Sequence, residues 1–67
     1  MPLIQVNILK GRSLEQKEEL IRRMTDLAAE VLDSPVTAVR VMINEMEPEH
    51  WGIAGESVRV RRLKENK

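Results

Sequence analysis

Four residues of this chain have the types and placement to do chemistry. Pro2 stands directly behind the initiator methionine in MPLIQV. Proline is tolerated at the first residue of a strand, where it removes no ladder hydrogen bond. Removal of Met1 would also make the Pro2 nitrogen a free secondary amine, able to take and give protons. Arg40 interrupts the apolar run VRVMI. It either reaches solvent along its aliphatic stem or grips a carboxylate at a subunit boundary through its forked guanidinium. Arg12 lies in the turn between the first strand and the helix. There it is either a solvated loop charge or an anion anchor aided by free backbone donors at a helix start. Trp51 is the single aromatic side chain. It is either a packing anchor or the apolar wall of a pocket, where low dielectric disfavours an ammonium and lowers the pKa of a nearby amine. His50 is expected in a surface loop and is given no role.

The elements that must carry these residues are legible in the pattern. LIQVNIL alternates, with Ile4, Val6 and Ile8 on one side and Gln5 and Asn7 on the other, as a strand does. KGR ends it with a glycine turn. Ser13 followed by Gln16 has the capping-box spacing of a helix start. Glu15, Glu18 and Glu19 suit the early turns, where the helix dipole favours negative charge. Leu20, Ile21, Met24, Leu27, Ala28, Val31 and Leu32 then form one apolar stripe over roughly five turns. Arg22, Arg23, Asp26 and Glu30 fall mostly off it. DSP stops the helix, because proline disfavours helical geometry in the residue before it. VRVMINEM predicts a second strand, with Val39, Val41 and Ile43 on one face and Arg40, Met42 and Asn44 on the other. EPEH reads as a turn and WGIAGES as a short hairpin or bulged arm. Glu45, Glu47 and Glu49 are expected to crowd one loop. The tail VRVRRLKENK begins with a strand-like alternation and ends polar, with frayed final residues.

A helix between two strands points to a parallel pair joined by a crossover. The predicted fold is therefore a small α/β unit, β-α-β with a short C-terminal hairpin, as one domain over residues 1–67. Sixty-seven residues bury too little surface for comfortable stability without disulfides, metal or partner subunits. The chain has no cysteine and one histidine, so oligomerisation is the remaining device. Two strands and one helix also leave a sheet edge and a sheet face open.

Composition narrows function by exclusion. Eleven basic and eleven acidic side chains cancel, so the chain as a whole is no polyanion binder. RVRRLK is a basic patch without interleaved aromatics and points only weakly to nucleic acid. Neither a GxGxxG nor a GxxxxGK[ST] loop is present, and no clustered ligands suggest zinc. No apolar run approaches the ~20 residues of a membrane span and no leader is read. A cysteine-free chain fits a reducing compartment, and the expected location is the cytoplasm.

Taken together, MP at the start, ILKGRSLEQKEELI, SPVTAVRVMINEM and HWGIAGE resemble the 4-oxalocrotonate tautomerase (2-hydroxymuconate tautomerase) family of the tautomerase superfamily, through nearly the whole chain. The resemblance implies a β-α-β subunit that assembles, typically into a hexamer built as a trimer of dimers. It implies loss of Met1 and Pro2 as the general base. It makes Arg12 and Arg40 the two substrate-binding arginines and Trp51 the pocket aromatic, where phenylalanine is common. Those residues would come from neighbouring chains, in a homohexamer or one mixed with a paralogous chain. The implied substrate is a dienol dicarboxylate such as 2-hydroxymuconate, with neither metal nor organic cofactor. Two alternatives stand beside this reading. One is a haloacrylate dehalogenase of the same superfamily, which uses an extra acid near the aromatic; here Ile53 is two residues past Trp51 and the next acid is Glu56. The other is a non-catalytic oligomeric module that binds dicarboxylates, or nucleic acid through Arg59, Arg61, Arg62 and Lys64.

Overall fold

The structure, a computed structural model, describes residues 2–65. Met1, whose removal is expected, and the final residues Asn66 and Lys67, expected to fray, lie outside the described residues. Strand β1 (Leu3–Leu9) leads into helix α1 (Leu14–Val31), then strand β2 (Arg40–Met46), a hairpin of β3 (Gly52–Ile53) and β4 (Glu56–Ser57), and helix α2 (Val58–Glu65).

Helix α1 begins where its cap requires. The Gln16 N–H donates to Ser13 Oγ at 3.1 Å and the Ser13 N–H donates to Gln16 Oε1 at 3.0 Å. This reciprocal pair satisfies two backbone donors at the helix start. The helix ends at Leu32, whose N–H donates to the Ala28 carbonyl, and Asp33 turns the chain with φ of 52° just ahead of Pro35. The off-stripe residues Arg22 and Arg23 are solvated, as expected, and both bond Glu19. Their two hydrogen bonds hold the Glu19 carboxyl below its ordinary range.

β1 and β2 pair in parallel, Leu3 against Arg40 through Leu9 against Met46. Burial alternates along both strands. The half-buried face carries Ile4, Val6 and Ile8 beside Val41, Ile43 and Glu45, and α1 lies over it through Leu20, Met24 and Ala28. The opposite face, with Leu3, Gln5, Asn7, Arg40, Met42 and Asn44, is bare. Only Ala28, Val39 and Val58 are buried among the described residues. The helical stripe is wider than one sheet can cover, and Leu27 and Val31 remain 60% and 70% exposed. The radius of gyration is 15.6 Å, against ~11 Å for a compact chain of this length. An open sheet edge, a bare face and an elongated shape are the marks of a subunit rather than of a self-sufficient domain.

Two expectations about the C-terminal half need correction. The acids do not share a loop. Glu45 lies in β2, on the covered face, while Glu47 and Glu49 flank and occupy the 3-10 turn Pro48–His50. The tail is also helical rather than extended. Ser57 Oγ accepts from the Val60 N–H at 3.2 Å, and Lys64 and Arg61, on one side of α2, reach back to Glu56. Val58 and Val60 alternate in sequence, but a cap and two ion pairs outweigh a two-residue strand signal. Lys64 and Arg61 keep the Glu56 carboxyl below its ordinary pKa.

The hairpin turn places Ala54 at φ 53° and Gly55 at φ 87°, both left-handed as a two-residue type I′ turn requires. Ala54 pays the Cβ penalty there. Ala54→Gly is expected to stabilise the protein by about 1 kcal/mol, read as a raised Tm at fixed protein concentration; an unchanged or lowered Tm would contradict the strain.

Candidate active site

The fold sorts the four candidate residues to two ends of the strand pair. At the N-terminal end the Arg40 N–H donates to the Pro2 carbonyl at 3.0 Å. Pro2 is thus held at the head of β1, half-buried, next to the first residue of β2. Their side chains do not meet. Arg40 projects from the bare face, where paired residue Leu3 also sits, and alternation carried one residue back puts Pro2 on the other side. The Arg40 guanidinium is exposed and donates to the Thr37 carbonyl at 2.8 Å and the Val39 carbonyl at 3.3 Å. Those bonds to the preceding turn use one nitrogen and orient the remaining donors outward.

Arg12 and Trp51 belong to the opposite end. Gly11, with φ of 134°, turns the chain out of β1 and delivers Arg12 beside the start of α1. Arg12 lines an open groove of about 190 Å3 with Ile8, Gln16, Lys17 and Leu20. Trp51 follows the 3-10 turn after β2. Its carbonyl accepts from the Val58 N–H at 2.8 Å, so the half-buried indole stands where the hairpin arm joins α2. Seven strand residues separate the two ends, a span of roughly 20 Å. One chain therefore brings Pro2 and Arg40 together in its backbone, and Arg12 and Trp51 to the far end. It does not gather all four side chains around one small molecule.

The loop bearing Arg12 is pinned by residues absent from the sequence-based set. The Lys10 N–H donates to the Met46 carbonyl at 2.9 Å, and its Nζ bonds Glu47 at 2.7 Å. That bond raises the Lys10 pKa and lowers that of Glu47. Lys17 Nζ bonds Glu45 at 3.1 Å, with side chains only 24% and 27% exposed. A signal for Glu45 was available: it occupies the next position in the Val39, Val41, Ile43 alternation, where an apolar residue belongs.

The described residues hold no cluster of three His, Cys, Asp or Glu arranged for a metal ion. No helix among them is long and apolar enough to cross a membrane. The arrangement offers two separate guanidinium groups, a half-buried indole and a proline nitrogen that is an amide as long as Met1 precedes it.

Comparison with known proteins gives this arrangement a family. The family model described as Tautomerase enzyme matches residues 2–61. A 2-hydroxymuconate tautomerase of Stutzerimonas stutzeri is 52% identical over 59 residues, spanning 88% of this chain and 94% of that protein. The crystal structure of TomN, a 4-oxalocrotonate tautomerase homologue in the tomaymycin biosynthetic pathway, superposes with a TM-score of 0.90 at 45% identity, covering 92% of this chain and 95% of that one. A heterohexamer 4-oxalocrotonate tautomerase from Chloroflexus aurantiacus superposes with a TM-score of 0.85 at 42% identity, over 88% of this chain and 95% of that one. With a β-α-β fold that matches theirs and sequence identity through nearly its whole length, the chain belongs to the tautomerase family and is an isomerase.

Proposed function

We propose that this isomerase is a 2-hydroxymuconate-type tautomerase, that Pro2 is its general base and acid once Met1 is removed, and that its site is completed only by assembly. The observation that carries the reading is the position of Pro2, at the head of β1 and tied to Arg40, in a chain 52% identical to a 2-hydroxymuconate tautomerase. In the proposed reaction the Pro2 amine takes the proton of the dienol hydroxyl. The O–H pair becomes the new carbonyl π bond, the diene electrons shift toward the distal end, and the prolinium returns a proton to carbon. One group can do both steps if its pKa lies near the working pH. The cationic Arg12 and Arg40 and the apolar Trp51 all disfavour the prolinium and pull that pKa down. Arg40 holds the carboxylate and oxygen at the 2-keto end and stabilises charge on the dienolate. Arg12 holds the distal carboxylate and draws electrons toward it.

The separation of Pro2 from Arg12 within one chain makes copies supply each other's site. A homohexamer is the proposed assembly, and a mixed hexamer with a related chain is compatible with it. The domain over 1–67 and its cytoplasmic location are part of the same proposal. The dehalogenase alternative lacks its acid: Ile53 occupies the position two past Trp51, and Glu56 is engaged by Lys64 and Arg61. The test is ultraviolet-monitored ketonisation of 2-hydroxymuconate by protein whose mass shows Met1 removed, beside a form that retains it. Turnover is expected only in the first, because a retained methionine converts the Pro2 nitrogen into a non-basic amide. Equal rates in the two forms, or none above buffer in the processed one, would overturn the proposal.

A further inference from the structure

The ion pair of Lys17 with Glu45 joins α1 to β2 and is only partly exposed. Lysine and glutamate are seldom this covered unless paired, and an ion pair in such a place is no more stabilising than well-packed apolar residues. Lys17 nevertheless lines the same groove as Arg12. Its ammonium has three donors, and among the described residues its one hydrogen bond goes to Glu45. Two donors are thus left for a group in the groove. Gln16, the other polar neighbour, accepts the Ser13 N–H through its Oε1, and its neutral amide adds no charge to the groove. Arg12 and Lys17 bring two positive charges and Glu45 one negative, leaving one net positive charge to meet one carboxylate.

We propose that Lys17 is a substrate-binding residue that shares the distal carboxylate with Arg12, held in place and half-neutralised by Glu45, and that this makes the groove select dicarboxylates over monocarboxylates. The inference rests on the tautomerase reading and specifies the substrate class of the Arg12 end. Lys17 fixes where the carboxylate sits between two cations. Glu45 keeps the ammonium from swinging to solvent and limits the charge of the groove to what one carboxylate balances.

The test compares two dienols that differ only in the distal carboxylate, 2-hydroxymuconate and 2-hydroxypenta-2,4-dienoate. Loss of one charge-assisted hydrogen bond in Lys17→Met is expected to raise KM for the dicarboxylate about ten- to hundredfold and to leave the monocarboxylate nearly unchanged. Lys17→Arg should restore most of the loss. Glu45→Gln keeps a hydrogen-bond acceptor but frees the charge, so KM for the dicarboxylate should fall, with a steeper dependence on salt. Were the pair only a clamp between α1 and β2, Lys17→Met and Glu45→Gln would harm both substrates in the same direction, and that result would overturn the proposal. Calorimetric binding of trans,trans-muconate against sorbate, which lacks the second carboxylate, reads the same selectivity without turnover. Wild-type preference for muconate that shrinks about ten- to hundredfold in Lys17→Met supports the Lys17 role even if tautomerase turnover is absent. Equal affinities in wild type and variant refute it even if turnover is fast.

Discussion

Pro2→Ala is expected to lower kcat for 2-hydroxymuconate by about 10²- to 10³-fold, within the range of a positioned general acid–base group, with a smaller change in KM. The residual activity has a physical source: alanine also presents an amino terminus once Met1 is cleaved, but as a primary amine on an unrestrained backbone. Proline's ring fixes the nitrogen relative to β1, and the bond from the Arg40 N–H to the Pro2 carbonyl fixes β1 relative to β2. Both constraints aim the lone pair. The pH profile carries a second expectation. With Pro2 the rate rises as the amine loses its proton, at a pH lowered by the neighbouring guanidinium groups and the indole. Removing Arg12 or Arg40 takes a positive charge away, so the ascending limb should move to higher pH as the rate falls. Stopped-flow rates over pH 5–9, on protein of verified mass, check both. A Pro2→Ala rate equal to wild type would remove Pro2 from the chemistry.

The second large effect concerns assembly. Leu27 and Val31 lie one helical turn apart and are 60% and 70% exposed in the single chain. Leu27→Glu with Val31→Glu places two carboxylates on a face that must be covered if the chain is a subunit. Desolvating unpaired charges costs several kcal/mol each, so the dissociation constant of the assembly should rise by at least about 10³-fold. Sedimentation is expected to show a smaller species, and activity should be lost although neither position is among the candidate site residues. A variant that stays assembled at wild-type activity, or a monomer that keeps it, would show that this face is free.

Much of the fold was legible because local signals agreed with tertiary packing. Ser13 and Gln16 mark the start of α1, and DSP marks its end. The alternations of LIQVNIL and VRVMINE give both strands and the correct covered face. The failures have a common cause. Glu45 fell within VRVMINEM but was also grouped with Glu47 and Glu49 as one loop cluster, because the three acids lie close in sequence. The tail was read as extended because Val58 and Val60 alternate, whereas the contacts that make α2 a helix run to Glu56 and Ser57, outside the segment itself. The candidate site was legible as a set of residue types. Its division between two ends of the strand pair was not, because sequence order says nothing of the ~20 Å of parallel strand between Pro2 and Arg12.

That division is the central claim, and mixed assemblies test it most directly. Pro2→Ala and Arg12→Ala chains would each keep only a small fraction of wild-type activity alone. Denatured together in equal amounts and refolded, they form assemblies in which some sites draw an intact Pro2 from one chain and an intact Arg12 from another. Random mixing in a symmetric oligomer predicts that roughly a quarter of the sites are complete, and the 2-hydroxymuconate rate should recover to about that fraction of wild type. Recovery to that level is the predicted result. No recovery, from chains shown by mass spectrometry to have mixed, would mean that Pro2 and Arg12 act within one chain, and would contradict a site shared between copies.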